Sequence, residues 1–479
     1  MRRKTLIISL IVVVLLSGGI AALLLWPEVE DVPPEPTPVV TADTGELIVE
    51  IRSEVASVYI MPQNGVPYTL LNNPENGEIE LVAPNALFEG FPTIMDRIFT
   101  HATALRFQTR VTEEADDHQL TLFGLDTPVS RWRVNRVDGT SVELMVGAEH
   151  PAGQGRYARR VDSREVFLIN TGQSQSLTSE IEDVYNLSFL PLDITPGDEM
   201  SLFLMEHIWI EANNTTIELR RRTMEEFENA HLGMSQFEML QPYLWEGNDY
   251  HVQSIILENV AHIFPISVEE ANPADLSVYG LDKPDKLTVV SEDWTGTLLI
   301  GDRDVERNGR YVMIEGHDAV LFDPHGIYTF LNITDATQLL SQLVWIYHIR
   351  DVATVTFELE GITRVLTFEH DDEDDNRLQA WLDGNEISEI NGRRVYIGVL
   401  NVFFNGGTNA RIPATPPSYR FTIELVDGGS STLELYRLNE AEFLIVRDGV
   451  STNLFINRMT LQQNLLYRFE LLDAGRDIP

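Results

Sequence analysis

A repeated motif constrains this chain more than any other feature of its sequence. Gly-Leu-Asp-x-Pro begins at Gly124 and recurs at Gly280, 156 residues later. Gly-Arg-Tyr at residues 155–157 recurs at residues 309–311, 154 residues later. Because short motifs in one register indicate a duplicated structural unit, at least two copies of one module are predicted. The motif residues, interpreted as structural, are Gly124, Leu125, Asp126, Pro128, Gly147, Arg156, Tyr157, Gly280, Leu281, Asp282, Pro284, Gly301, Arg310 and Tyr311.

A third copy is predicted near the C-terminus, where residues 418–446 repeat the apolar spacing without either motif. Terminal copies in repeat arrays are often atypical, because they pack on one neighbour only. Each copy is predicted to form short strands, then one helix, then a β-meander, with helices expected at residues 92–105, 250–263 and 394–404. The predicted modules span residues 45–197, 198–350 and 351–479.

The N-terminal 26 residues predict a membrane anchor. Residues 6–26 are almost wholly apolar and follow Arg2, Arg3 and Lys4. Such a run is long enough to span a bilayer, and the basic flank predicts a cytoplasmic N-terminus with the rest exported across the cell membrane. A cleaved signal peptide is the alternative interpretation. Residues 27–44, rich in proline and acids, predict an extended stalk.

Together these patterns predict an α+β fold in which an N-terminal transmembrane helix precedes three tandem β-rich modules. The net charge of −40 disfavours binding to nucleic acid, since acidic surfaces repel phosphate. The chain has no cysteine, which excludes disulfides and thiolate metal sites. No P-loop, zinc-hydrolase or serine-hydrolase motif occurs, so no catalytic residue, metal ligand or cofactor is predicted.

Three features have both a structural and a functional interpretation. Asp126 and Asp282 fit turn formation better than ligand binding, because Asp near Pro commonly closes a turn. Arg156 and Arg310 are expected in local salt bridges, with binding of a carboxylate-bearing ligand as the alternative. The acidic run at residues 371–375 lacks the calcium-loop spacing and predicts a solvated loop, with weak divalent affinity as the alternative. Binding of calcium or of cationic wall polymers by the acidic surface of the protein is also left open.

The second copy resembles the DUF4340 domain family. The resemblance rests on residues 274–284, then residues 298–301, then Gly-Arg-Tyr-Val at residues 309–312. The first copy is a weaker match, with Phe123 in place of Tyr279, and the third departs from the pattern. The resemblance implies an anchored, exported protein without an assigned activity, and an association with ABC-type exporters.

These observations predict a non-enzymatic, membrane-anchored extracytoplasmic protein that binds or scaffolds a partner, such as an ABC-type permease or another envelope protein. The alternative is an envelope hydrolase, or a cation- or ligand-binding protein, with a site between modules. Such a site would need a deep pocket between the first two modules, holding several buried carboxylates.

Overall fold

Three antiparallel sheets of nine strands each form the framework of the protein. The computed structural model describes residues 44–73, 75–229, 235–324, 326–343, 345, 347–370 and 377–479. The strands of the first sheet are β1 (Gly45–Glu46), β2 (Val55–Pro62), β3 (Tyr68–Asn72), β4 (Ile79–Val82), β5 (Arg106–Thr112), β6 (Ser130–Arg136), β7 (Ser141–Glu149), β8 (Arg156–Arg160) and β9 (Val166–Ile169).

The second and third sheets follow along the chain. The second holds β10 (His207–Ala212), β11 (Thr215–Arg221), β12 (Phe237–Gln241), β13 (Trp245–Glu246), β14 (Ser267–Ala271), β15 (Asp285–Ser291), β16 (Trp294–Asp304), β17 (Gly309–Ile314) and β18 (Ala319–Asp323). The third holds β19 (Val352–Leu359), β20 (Ile362–His370), β21 (Leu378–Leu382), β22 (Asn385–Ile387), β23 (Gly406–Gly407), β24 (Tyr419–Leu425), β25 (Ser430–Arg437), β26 (Glu442–Arg447) and β27 (Val450–Asn457). Each sheet falls within one predicted module.

Eight strands take the same order in all three sheets. Starting from the edge nearest the third strand of each module, the orders are β4-β3-β2-β6-β7-β8-β9-β5-β1 in the first sheet, β13-β12-β11-β10-β15-β16-β17-β18-β14 in the second and β22-β21-β20-β19-β24-β25-β26-β27-β23 in the third. The first strand of the opening hairpin always pairs with the first strand of the meander, as β2 does with β6. The third copy, which lacks both motifs, therefore has the same topology as the other two.

The position of the ninth strand distinguishes the modules. In the first sheet it is β1, which pairs with β5. In the second and third sheets it is β13 or β22, which pairs with the third strand of the module, β12 or β21. Strand β4, the counterpart of β12 and β21, is therefore an open edge of the first sheet.

Burial explains why these segments form strands. Along β3 and β24 buried residues alternate with more exposed ones, as expected for a sheet with one covered face. The run Val-Phe-Leu-Ile of β9 is buried throughout, and so are all five residues of β18. Such runs indicate strands covered on both faces.

Three helical segments carry the chain from one edge of a sheet to the other, at residues 92–103, 249–261 and 389–400. The helices are α1 (Pro92–Thr103), α2 (Asp117–Leu122), α3 (Thr171–Leu177), α4 (Glu199–Leu202), α5 (Met224–Asn229), α6 (Asp249–His251), α7 (Glu258–Ala261), α8 (Glu389–Leu400), α9 (Arg458–Leu461) and α10 (Tyr467–Asp473). π-helical turns at Val252–Leu257 and Gln462–Leu466 join α6 to α7 and α9 to α10. Short 3-10 helices span Arg52–Glu54, Ile181–Asp183, Leu276–Tyr279, Thr329–Asn332, Ala336–Leu339 and Ile349–Asp351.

The predicted fold class is wrong in two respects. Among the residues that the structure describes, no helix is both long and apolar enough to cross a membrane. The longest single α-helices, α1 and α8, have 12 residues, whereas a span needs about 20. The predicted anchor at residues 1–26 and all but the last residue of the predicted stalk lie outside the described residues. Each module also contains several helices instead of one, because the chain crosses the sheet face twice: before the far edge strand and after the meander.

The three modules share one continuous hydrophobic core. The segment that leaves each of the first two modules inserts an aromatic side chain against the meander of the next one. Phe189 packs edge-on against Trp294, with ring centroids 5.6 Å apart. Trp345 is fully buried, and its indole N–H donates to the Ser431 hydroxyl at 3.2 Å. The module junctions are therefore packed interfaces, unlike the exposed flexible linkers that commonly separate independent domains.

Candidate functional site

The Gly-Leu-Asp-x-Pro motif forms the same left-handed turn in the first two modules. Gly124 and Gly280 have φ values of +66° and +68°, a conformation that glycine adopts without a steric penalty. The leucine that follows, Leu125 or Leu281, is buried. The motif thus turns the chain and anchors it to the meander that follows.

The second motif glycine allows this turn to lie directly on the meander. A Cβ atom at Gly147 would lie 2.3 Å from the Phe123 carbonyl oxygen. A Cβ atom at Gly301 would lie 2.2 Å from the Tyr279 carbonyl oxygen. Both distances are far below van der Waals contact, so a side chain at either position would displace the turn.

The Gly-Arg-Tyr motif completes the same cluster. Arg156 donates to the Gly147 carbonyl oxygen at 3.3 Å, and Arg310 donates to the Gly301 carbonyl oxygen at 2.7 Å. These guanidinium groups therefore bind backbone carbonyls, where acidic partners were expected. Their tyrosines pack against aromatic rings of the turn: Tyr157 lies 4.5 Å from Phe123 in a tilted arrangement, and Tyr311 lies 5.0 Å from Tyr279 edge to face, measured between ring centroids. Residues far apart in sequence are thus brought into one structural cluster.

The remaining motif residues lie at the rim of this cluster. Asp126 and Asp282 are exposed, Pro128 is buried and Pro284 is half-buried. Asp126 accepts hydrogen bonds from the Thr127 amide at 2.8 Å and the Thr121 hydroxyl at 3.2 Å, which is local turn chemistry. Among the described residues, no three histidine or acidic side chains are grouped so that they could hold a metal ion. The acidic run at residues 371–375 lies outside the described residues.

Replacing Gly301 with alanine is expected to destabilise the protein by about 1–3 kcal/mol, because the new methyl group clashes with a backbone carbonyl that cannot rotate away. Gly172 is the matched control. It lies in α3, where an added Cβ would meet only Asn170 Oδ1 at 3.5 Å, an ordinary van der Waals contact, so Gly172→Ala should be neutral or stabilising by up to about 1 kcal/mol. Urea denaturation of both variants tests this, and equal effects would show that Gly301 does not hold the turn.

Two tyrosines of this cluster are bonded to carboxylates. The Tyr279 hydroxyl donates to Glu270 Oε2 at 2.8 Å, and the Tyr311 hydroxyl donates to Asp304 Oδ2 at 3.0 Å. The hydrogen bond to Glu270, followed by burial, raises the pKa of Tyr279 to about 12. Removing that proton would place two negative charges at hydrogen-bonding distance.

We expect Tyr279→Phe to lower stability by about 1 kcal/mol near pH 7, because it removes a charge-assisted hydrogen bond. A phenol whose pKa is raised by folding stabilises the folded state below the unfolded pKa of about 10. That contribution disappears as the pH rises through about 12. The advantage of the wild-type protein over Tyr279→Phe should therefore be constant from pH 7 to 9 and shrink above pH 10. Denaturation midpoints across this pH range measure it, and a pH-independent difference would contradict the assigned hydrogen bond.

A polar cleft of 360 Å³ lies beside the cluster in the second module. Arg303 and Arg310 line it together with Tyr328 and Asn332. Arg303 donates to the Asn308 amide oxygen at 2.7 Å. In the first module the position that pairs with Arg156 is Glu149, whereas Arg303 pairs with Arg310 in the second. The doubled positive charge is therefore particular to the second module, and it suits a carboxylate group.

A larger groove of 890 Å³ lies in the first module, between strand β4 and the start of helix α1. Four acidic residues line it: Glu78, Glu80, Glu89 and Asp96. Arg52 also lines the groove and pairs with Asp96 at 2.5 Å.

The floor of this groove holds a buried polar side chain with one unused group. Asn72 is 7% exposed. Its amide nitrogen donates to the carbonyl oxygens of Arg52 at 3.0 Å and Val55 at 2.8 Å. Its side-chain oxygen is buried and accepts no hydrogen bond from any described residue. Sequence reasoning missed this groove, since its residues belong to neither motif and no local pattern shows that β4 lacks a further partner strand.

A buried ion cluster joins the second and third modules. Arg222 donates to both oxygens of Glu246, at 2.6 and 3.0 Å. Arg447 of the third module lies 3.5 Å from the same carboxylate and 5.4 Å from the centre of the Trp245 ring. The charged groups of this cluster all have partners within the protein, so we interpret the cluster as structural.

A third cleft, of 230 Å³, is lined by Gln63, Asp126 and Arg131 of the first module. Each of these three clefts among the described residues lies within one module, and none is the predicted pocket between modules.

A family model described as "Domain of unknown function (DUF4340)" matches residues 92–230 and again residues 238–384. The two matches cover more than half of the sequence. The chain belongs to the DUF4340 family. No curated protein and no solved structure matches the chain.

The two DUF4340 matches are out of phase with the three sheets. The first begins at α1 of the first module and ends after β11 of the second. The second begins in β12 and ends after β21 of the third module. Each match therefore contains one module junction, including Phe189 or Trp345. Packing between neighbouring sheets is thus part of the DUF4340 unit in this chain.

Proposed function

We propose that this DUF4340 protein is a non-enzymatic binding and scaffold protein that holds an envelope partner, such as an ABC-type permease, on the extracytoplasmic side of the cell membrane. The continuous core through three tandem sheets carries this proposal. An array with packed junctions keeps surfaces on different modules at fixed separations, which suits a scaffold.

The chemistry of the motif cluster supports a binding role over catalysis. The motif arginines and tyrosines are engaged with carbonyl oxygens and carboxylates of their own module, as described for Arg310 and Tyr311. A catalytic group must instead reach a reacting atom of a substrate. The motifs therefore build the module, and the surfaces between motifs are left for partners.

A second candidate function is the binding of a carboxylate-bearing ligand in the second module. The observation that favours it is the paired guanidinium groups of Arg303 and Arg310 in one cleft. Arg303→Ala should then weaken binding of a dicarboxylate such as succinate. Isothermal titration calorimetry measures this, with Arg133→Ala on the first sheet as the matched control.

Photo-crosslinking in intact cells tests the scaffold proposal. A benzoylphenylalanine residue is placed in full-length protein at Leu71, Val278 or Val450, one exposed position on each module. We expect purification and mass spectrometry to recover the same envelope protein from at least one position. Recovery of no protein from any of the three, at normal expression, would refute the scaffold role.

A further inference from the structure

We propose that the first module binds an extended, arginine- or lysine-bearing segment of a partner protein, which pairs as an additional strand with the open edge of β4. This inference rests on the proposed binding function and names the class of partner. Strand addition to a free sheet edge is an established mode of peptide recognition, since backbone hydrogen bonds supply affinity and alternate side chains supply specificity.

Comparison of the three modules shows that the edge equivalent to that of β4 is covered by a further strand in the other two. Strand β12 pairs there with β13, and β21 pairs there with β22. The segment of the first module that corresponds to β13 is 88–89, because Gly90 corresponds to Gly247, the residue that follows β13. Gly90 bridges to Tyr185 just as Gly247 bridges to Leu340, yet the segment does not pair with β4. The edge that the other two modules cover within their own chain is uncovered in the first.

The backbone of β4 is available for pairing. The Asn73 amide donates to the Glu78 carbonyl oxygen at 2.9 Å, which places the backbone groups of Glu78 and of every second residue after it towards β3. The N–H and C=O groups of Ile79 and Leu81 therefore point to the open edge. No hydrogen bond from another described residue reaches them. Unpaired edge groups of this kind are a template for a further strand.

The charge of the groove selects a basic segment. Glu78 just before β4 and Glu80 within it flank Ile79, so they face one side of the edge. Glu89 lines the groove on the helix side, where Asp96 is already paired with Arg52. A strand placed at this edge therefore has carboxylates on both of its faces, which favours arginine or lysine at successive positions. A second copy of this chain would bring the same acids against each other, so edge-to-edge pairing of two copies is disfavoured.

The buried oxygen of Asn72 indicates a donor in the missing occupant. A buried acceptor without a partner is costly, and native proteins seldom keep one. Asn72 lines the groove, and its side-chain oxygen has no donor among the described residues. Because Asn72 Oδ1 has essentially no solvent-accessible surface, a guanidinium or ammonium group that enters the groove supplies this donor after a small shift of the groove wall. The open edge, the acids and this acceptor thus point to the same ligand chemistry.

Fluorescence anisotropy with a synthetic probe tests the inference. The probe is an eight-residue peptide that alternates arginine and valine, with blocked ends, titrated with the full-length protein at physiological salt. Reversing one acid on each side of the edge, in Glu80→Lys with Glu89→Lys, should weaken binding about tenfold or more. The matched control reverses Glu292 and Asp293, which are exposed in a turn of the second module. That control should leave affinity unchanged, and equal weakening by both double variants would overturn the site.

Two further measurements separate strand addition from simple charge attraction. A peptide methylated on alternate backbone nitrogens should lose binding, because it cannot complete the ladder. Hydrogen exchange at the Ile79 and Leu81 amides should slow when the unmodified peptide is bound. Unchanged exchange, or full affinity of the methylated peptide, would refute strand pairing. If crosslinking recovers a partner while the unmodified peptide fails to bind, this inference fails and the scaffold function stands.

Discussion

Arg222→Met is expected to lower the free energy of unfolding by about 3–5 kcal/mol, because it leaves a buried carboxylate without its bidentate partner. The side chains of Arg222 and Glu246 are 11% and 4% exposed, so solvent cannot replace the lost hydrogen bonds. Arg447 remains, but its 3.5 Å contact is longer than either bond from Arg222. Because methionine preserves most of the side-chain volume, the loss of stability measures the contribution of the ion pair. Urea denaturation followed by circular dichroism measures it.

Arg133→Met is the matched control for that experiment. Arg133 pairs with Glu143 at 2.9 Å on the first sheet, but the two side chains are 47% and 28% exposed. Exposed pairs of this kind contribute about 0–1 kcal/mol. If both variants lose the same stability, the junction cluster contributes no more than a surface ion pair. The second and third modules would then be held together by apolar packing and by neutral hydrogen bonds such as that from Trp345 to Ser431.

Trp345→Ala should cost about 3–5 kcal/mol and should loosen the same junction. The indole is fully buried, and its removal leaves a cavity between the segment that leaves the second module and strand β25 of the third. The Ser431 hydroxyl, which Trp345 reaches at 3.2 Å, keeps its hydrogen bond to Asp448 at 3.1 Å. The loss is therefore mainly one of packing. Limited proteolysis should cut the variant near residue 345 faster than the wild-type protein.

Trp209→Ala is the control for the tryptophan prediction. Trp209 lies on the less buried face of β10, where it stacks on His207 at 3.6 Å between ring centroids. Its truncation removes less buried area and should cost clearly less than that of Trp345. A larger effect at Trp209, or unchanged proteolysis of Trp345→Ala, would contradict a rigid junction.

Crosslinking, peptide binding and denaturation test different properties of this protein. The denaturation experiments test whether the array is rigid, and crosslinking tests whether it holds a partner. The localisation, the permease partner and the absence of catalysis stay predictions until such data exist. DUF4340 membership is established by the two family matches, and it assigns no activity.

Several features of the fold could be predicted from the sequence, because they are local. The duplicated motifs indicated repeated modules, and the sheets lie one within each predicted range. Apolar spacing located the main helices: residues 92–105 contain α1, and residues 250–263 overlap the helix that runs from α6 to α7. The third helix begins at Glu389, earlier than the expected residue 394, because Ser388 caps its N-terminus.

The sequence alone determined that this chain is a β-rich array of repeated modules related to DUF4340, since repeats and periodicity can be recognised in short stretches of sequence. Tertiary structure decided the pairing of β2 with β6, the packed junctions at Phe189 and Trp345, and the open edge of β4. It also decided that the motif arginines bind carbonyl oxygens and that each module carries several helices. The physical reason is that strand pairing and side-chain packing join residues far apart in sequence. Local sequence patterns do not specify which distant strand edge or side chain a residue will contact.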